Sequence, residues 1–133
     1  MTVTKYSRNR FYRTLNDWAV PREYADVMFN YFVHGLSPGS FFTALLANDF
    51  AGAMSHSHPA NSVQALKNLV GWLRGTMTHS VCWGDQDTVK SWLALTNEQR
   101  LAILIERNLV YSEQDELLMA LKNQHTAEPF FMD

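Results

Sequence analysis

The chain is nearly without cysteine. Its one thiol, Cys82, excludes an intrachain disulfide and suits a reducing compartment. Long apolar runs are missing too, since no stretch approaches the roughly 20 residues of a membrane helix. The opening MTVTKYSRNR has none of the apolar core that a secretory signal carries. Internal repeats and low-complexity linkers are absent. So are a phosphate-binding loop, a dinucleotide fingerprint and the H-E-x-x-H pair of zinc proteases. These absences lead to the expectation of a soluble, cytosolic protein with no membrane segment and no standard cofactor site.

What is present is core-forming material. Apolar residues make up 47% of 133 residues, enough for one domain and too many for a disordered chain. Charge is segregated along the sequence. Residues 1–22 hold Lys5, Arg8, Arg10, Arg13 and Arg22 against Asp17, a net of +4, and the remainder carries a net of −6. A basic arm on an acidic body is a candidate contact for nucleic acid. The cluster is short, however, and the body would repel phosphate, so nucleic acid is not the expected partner. A solvated arm, or one docked on the acidic surface of a neighbouring subunit, accounts for it equally.

Apolar spacing predicts six or seven short antiparallel helices and no strand. Tyr24, Val27, Met28, Tyr31 and Phe32 fall at i, i+3, i+4, i+7 and i+8, one face of a helix opened by Pro21. Phe11, Leu15 and Trp18 mark an earlier helix. A third is expected from Phe41 towards Met54, capped by Ser40. A fourth carries Val63, Leu66, Leu69, Val70 and Leu73, and a short fifth bears Val89, Trp92 and Leu93. Thr96 with Gln99 forms a capping box for a sixth, with Leu101, Leu104 and Ile105 on its inner face. Ser112 caps a seventh with Leu117, Leu118 and Leu121. The fold class is all-α, a single compact helical domain. Its expected division is a basic arm with a short helix over 1–20, the helical domain over 21–123 and a tail over 124–133, loose or packed on a partner.

Gly35-Leu36-Ser37-Pro38-Gly39 matches G-x-S-x-G, the nucleophile elbow of serine hydrolases. That elbow needs a strand before the serine and the N–H of the following residue for its oxyanion hole. Here a helix precedes it, and the following residue is Pro38, which has no N–H. Gly35 instead stands where a helix ends, and GLSPGS reads as a connector between helices. Ser37 is therefore not expected to be catalytic. Nor is the connector part of a DNA-reading motif, because FFTALLANDFAGAM is apolar nearly all round and reads as a buried helix rather than one laid in a groove.

Within that expected helix, Asn48 and Asp49 project from the same side as Phe41, Phe42 and Leu45. A carboxylate on an apolar face needs a partner. One reading is structural, with Asp49 bonded to a helix N-terminus, the Trp83 indole or Arg74; replacing it by Asn then costs about 1.5–3 kcal/mol. The other has Asn48 and Asp49 lining a pocket, where the same change leaves stability intact or raised. His56 and His58, with His79 and Cys82, supply nitrogen and sulfur donors, but their spacing matches no standard zinc site, and no metal is expected.

The segment from Phe32 to Leu93 resembles a family of short proteins encoded by tailed bacteriophages and prophages. The resemblance rests on His34, Gly35, Pro38, Gly39 and Phe41, on Ala44, Leu46, Asn48, Asp49 and Phe50, on Asn61, and on Cys82, Trp83, Gly84, Trp92 and Leu93. Ser57 and His58 stand where the family pattern has Ala-Asp. The resemblance implies an accessory protein acting in the host cytoplasm, and it brings no catalytic residue. Two functions follow. One is a non-enzymatic binding protein that inhibits a host or defence protein. The other is a sponge for a nucleotide signal, with Asn48, Asp49, Asn61 and Trp83 around the site. A homo-oligomer, specifically a dimer, is expected from the aromatic residues near the ends, Tyr6, Phe11, Tyr12, Phe130 and Phe131.

Overall fold

A computed structural model describes residues 3–57, 62–77 and 80–122. Within them lie α1 (Lys5–Asp17), α2 (Arg22–Phe32), α3 (Ser40–Leu46), α4 (Phe50–His56), α5 (Val63–Thr76), α6 (Gln86–Ala94), α7 (Asn97–Glu106) and α8 (Glu113–Lys122). The all-α expectation holds, with eight helices among the described residues rather than six or seven. The extra helix arises because the segment expected as one helix from Phe41 to Met54 is broken at Ala47–Asp49 into α3 and α4.

Helix α2 lies at the centre. It buries Tyr24, Ala25, Met28, Phe29, Tyr31 and Phe32, more than one stripe of its surface, so neighbours cover it on several sides. The rings of Phe11 from α1, Phe32 from α2 and Trp72 from α5 meet edge-on or tilted, with centroids 5.6–6.4 Å apart. Trp92 of α6 joins Phe32 at 6.2 Å. Each such side chain stabilises the fold by about 1.5–3 kcal/mol on burial. Their polar atoms are matched. The Trp92 indole N–H donates to the Tyr31 carbonyl (3.2 Å), and the Tyr31 hydroxyl donates to the Cys82 carbonyl (2.9 Å). The Trp72 indole donates to the Thr14 hydroxyl (3.1 Å). Burial pushes the Tyr31 hydroxyl well above the ordinary tyrosine range.

Cap residues fix most helix starts. Thr96 and Gln99 form the expected capping box, and Ser112 accepts the Asp115 N–H (3.1 Å). Ser62 and Asp85 do the same for α5 and α6. Ser40 does not. It is the first residue of α3 rather than its cap, and Gly39 takes the cap position at φ 88° without a side chain to offer.

Two expectations about apolar residues are corrected. Phe11 and Tyr12 are core, at 0% and 2% exposure, and so form no contact surface for a partner. Tyr12 stacks on Phe29 with centroids 5.0 Å apart and donates its hydroxyl to Asp26 (2.8 Å). The segment expected as a basic arm thus feeds the same core as the later helices. Conversely, Leu117, Leu118 and Leu121 of α8 are exposed, because α8 meets the body mainly along its other side and Leu118 only edges a shallow cleft beside Arg10 and Ile105. There the Ser7 hydroxyl donates to the Glu116 carboxylate and accepts the Tyr111 N–H (2.9 Å). Phe130 and Phe131 lie outside the described residues, as does the whole 124–133 tail. No helix among the described residues is long and apolar enough to cross a membrane.

Candidate functional site

The α3–α4 corner decides the fate of the expected pocket. After Leu46 the chain reaches Asn48, which adopts the left-handed conformation at φ 63°. Asparagine tolerates that region better than other non-glycine residues. The next residue, Asp49, is the N-cap of α4, and its carboxylate accepts the Gly52 N–H (2.9 Å). A Cβ on Gly52 would fall 2.2 Å from that carboxylate, so glycine is what lets the cap close. Asn48 and Asp49 are both exposed, and neither sits mid-helix on an apolar face. The carboxylate therefore avoids the desolvation that the sequence reading assigned to it. The signal was present in the residues: a left-handed Asn followed by a capping Asp is a stop and a start.

Of the residues expected around a pocket, Asn48, Asp49 and Trp83 are described, and the three do not share one. Trp83 is buried behind the corner, where its indole donates to the Met77 carbonyl (3.2 Å), not to Asp49. Its neighbour Gly84 ties the loop to α3 through an N–H to the Leu46 carbonyl (2.7 Å). Asn61 lies outside the described residues. Of the three that are described, Asp49 alone lines a cleft of about 410 Å³, in company with Ser37, Ser40, Thr43, His56 and Gln86.

Ser37, Asp49 and His56 all line that cleft, and they are the residue types of a hydrolase triad. The arrangement lacks the hydrogen-bonded geometry of one. No hydrogen bond joins the three, Asp49 is engaged by the α4 N-terminus, and Pro38 removes the N–H an oxyanion hole needs. Of the residues considered as metal ligands, His56 is exposed, Cys82 is buried, and His58 and His79 are outside the described residues.

Arg100 is the polar centre that sequence reasoning missed. It is 4% exposed, and its guanidinium donates to the Val33, His34, Trp92 and Leu95 carbonyls and to the Asn97 side chain. It thereby gathers the C-terminal ends of α2 and α6, where helix dipoles favour a cation. Burial lowers the Arg100 pKa, and burial with the nearby Arg100 and Arg8 charges lowers that of His34. Gly35 lies against the guanidinium at φ 65°, and a Cβ there would come 2.3 Å from Cζ. The expected helix-ending glycine thus has a second duty. Nothing in the local spacing around Arg100 announces its burial, because its acceptors come from residues as far away as Val33.

On the other side of α4 an apolar groove runs between α4 and α5. It encloses about 390 Å³ and is lined by Leu45, Phe50, Met54, Val63, Leu66 and Val70, with Lys67 as the one charged residue among the described residues that line it. Phe50, Met54 and Val63 are 48%, 55% and 82% exposed. The segment around α4 was expected to be buried on all sides. Breaking the helix at Asn48 swings α4 so that Phe50 and Met54 face outward instead. No protein family, curated protein or solved structure matches this chain.

Proposed function

We propose that the protein acts by binding another protein, without catalysis, and that the α4/α5 groove is the contact surface. The observation that carries this is the exposure of Phe50, Met54 and Val63 along one groove whose only charge among the described residues is Lys67. Contiguous exposed apolar residues bounded by polar ones are a usual mark of protein contact sites. The resemblance to short phage proteins supports an accessory role in a host cytoplasm, with inhibition of a host or defence protein as the consequence of docking. The alternative, a ligand sponge, draws on the cleft that Asp49 lines. That lining holds a carboxylate and neither Lys nor Arg, so it favours a neutral or cationic polar ligand over a nucleotide phosphate.

Affinity capture from a host lysate separates the two readings. The parent chain is expected to retain a specific protein, and Met54→Glu to lose it by about tenfold or more, with melting temperature unchanged because Met54 is exposed. Capture indifferent to Met54→Glu and Val63→Glu would remove the groove from the function. A melting temperature that rises with an added nucleoside or polyamine, and is blunted by Thr43→Val, would favour the cleft.

A further inference from the structure

A second exposed apolar surface lies elsewhere on the same molecule. On α8, Leu117, Leu118 and Leu121 are each more than half exposed, and no residue of α8 is fully buried. At about 100° per residue these leucines span an arc of about 100°. The side of α8 held to the body is centred on Glu116, bonded to Ser7, and Met119, beside Arg10; it lies roughly opposite Leu117 and Leu121 and reaches the arc only at Leu118. Leu117 and Leu121 therefore point away from the described residues, while Leu118 forms the edge of the face, beside the shallow cleft that α8 makes with Arg10 and Ile105. A ten-residue helix with one anchored side and an open apolar side is marginal until something covers it.

We propose that α8 of one copy lies in the α4/α5 groove of a second copy. This rests on reading the groove as a protein-docking surface and names its occupant. Along the groove, α5 presents Val63, Leu66, Lys67 and Val70 at i, i+3, i+4 and i+7, and Arg74 continues the same stripe. Helix α5 holds no acidic residue. Helix α8 is the reverse, with Glu113, Asp115 and Glu116 in its first turn and Lys122 as its one cation. Glu113 and Asp115 flank the leucine arc, about 40° and 60° beyond its edges, where they meet the Lys67 and Arg74 rim. Charge sign selects among the possible self-pairings. Groove against groove sets Lys67 and Arg74 against themselves, and α8 against α8 sets acid against acid. Helix α8 in the groove pairs apolar with apolar and acid with base, the helix-in-groove mode of recognition. Self-association of this kind hides the groove, so a foreign partner binds only in competition with it.

Sedimentation velocity of the full chain over a concentration series tests this. The parent is expected to associate. Met54→Glu in the groove and Leu121→Glu on α8 are each expected to weaken association by about tenfold or more. Mixing the two variants is expected to recover it, because each supplies the half the other lacks. Should either variant unfold, the charge pair Lys67→Glu and Asp115→Lys gives the same reading: each alone weakens association and their mixture restores it. A parent that is monomeric throughout overturns the proposal. So does association untouched by both variants, or a mixture that fails to recover, which would mean like-with-like pairing. A monomeric parent whose partner capture still depends on Met54 would leave the docking reading standing. Intact self-association with capture that ignores Met54 would remove only the foreign partner.

Discussion

Arg100 and Gly35 show how a single contact joins residues that no local pattern connects. The guanidinium satisfies carbonyls at two helix ends, and Gly35 makes room for it. Removing the cation orphans those acceptors, and an unsatisfied buried acceptor costs about 1–3 kcal/mol. Arg100→Met, which keeps an apolar stem, is expected to destabilise by about 3 kcal/mol in urea unfolding. Gly35→Ala carries two penalties, a left-handed backbone with a side chain and a clash with the guanidinium. Its cost is expected to be about 3 kcal/mol in the parent and about 1 kcal/mol in Arg100→Met, where only the backbone term remains. Equal costs in both backgrounds would show that Gly35 and Arg100 do not interact. Gly35 was legible as a helix end from its place after an apolar stripe. Its contact with Arg100 was not, because that depends on how α2, α6 and α7 converge.

At the scale of elements, local chemistry announced starts better than it announced breaks. Thr96 with Gln99 and Ser112 before its apolar run each stand where a helix begins. The α3–α4 break is hidden in the sequence because the apolar residues on either side of Asn48-Asp49 keep a helical period across it, which masks the two polar residues in the middle. The outcome changes the expected energetics. As an exposed cap, Asp49 can be replaced by Asn at little cost, since both residues cap well; Asp49→Asn is expected to lose only a few tenths of a kcal/mol and Asp49→Ala about 1 kcal/mol. Thermal melts of the two variants check this. A loss near 2 kcal/mol for Asp49→Asn would restore the buried, charge-dependent role first read from the sequence. Helix α8 failed differently. Its leucines have the spacing of a core face, and spacing cannot say whether the covering surface belongs to the same chain.

For the whole molecule, the all-helical class and the helical connector at GLSPGS were legible, while the distribution of surface was not. The basic N-terminal stretch is the clearest case. Read alone, five cations against one acid look like a hand held out to phosphate. In the fold, most of them are occupied with the protein's own rings. Lys5 lies 5.2 Å over Tyr6, Arg8 lies 5.8 Å and 5.6 Å over Tyr12 and Phe29, and Arg10 lies 4.9 Å over Tyr111 while donating to the Asn108 carbonyl. A cation on an aromatic face gains about 0.5–2 kcal/mol there and forfeits it on moving to a phosphate. Affinity for a duplex depends on how many phosphates are neutralised, with a salt slope close to that number. A stretch with its cations held against rings, on a body of net charge −6, has few to offer. Fluorescence anisotropy with a labelled duplex is therefore expected to show no saturable binding at physiological salt. Arg10→Ala should instead register as a stability loss of about 1–2 kcal/mol, from the ring and the carbonyl together. A steep salt-dependent affinity that Arg8→Ala and Arg10→Ala abolish without loss of stability would mean the rings give the cations up, and that the N-terminal helix is a nucleic-acid surface after all.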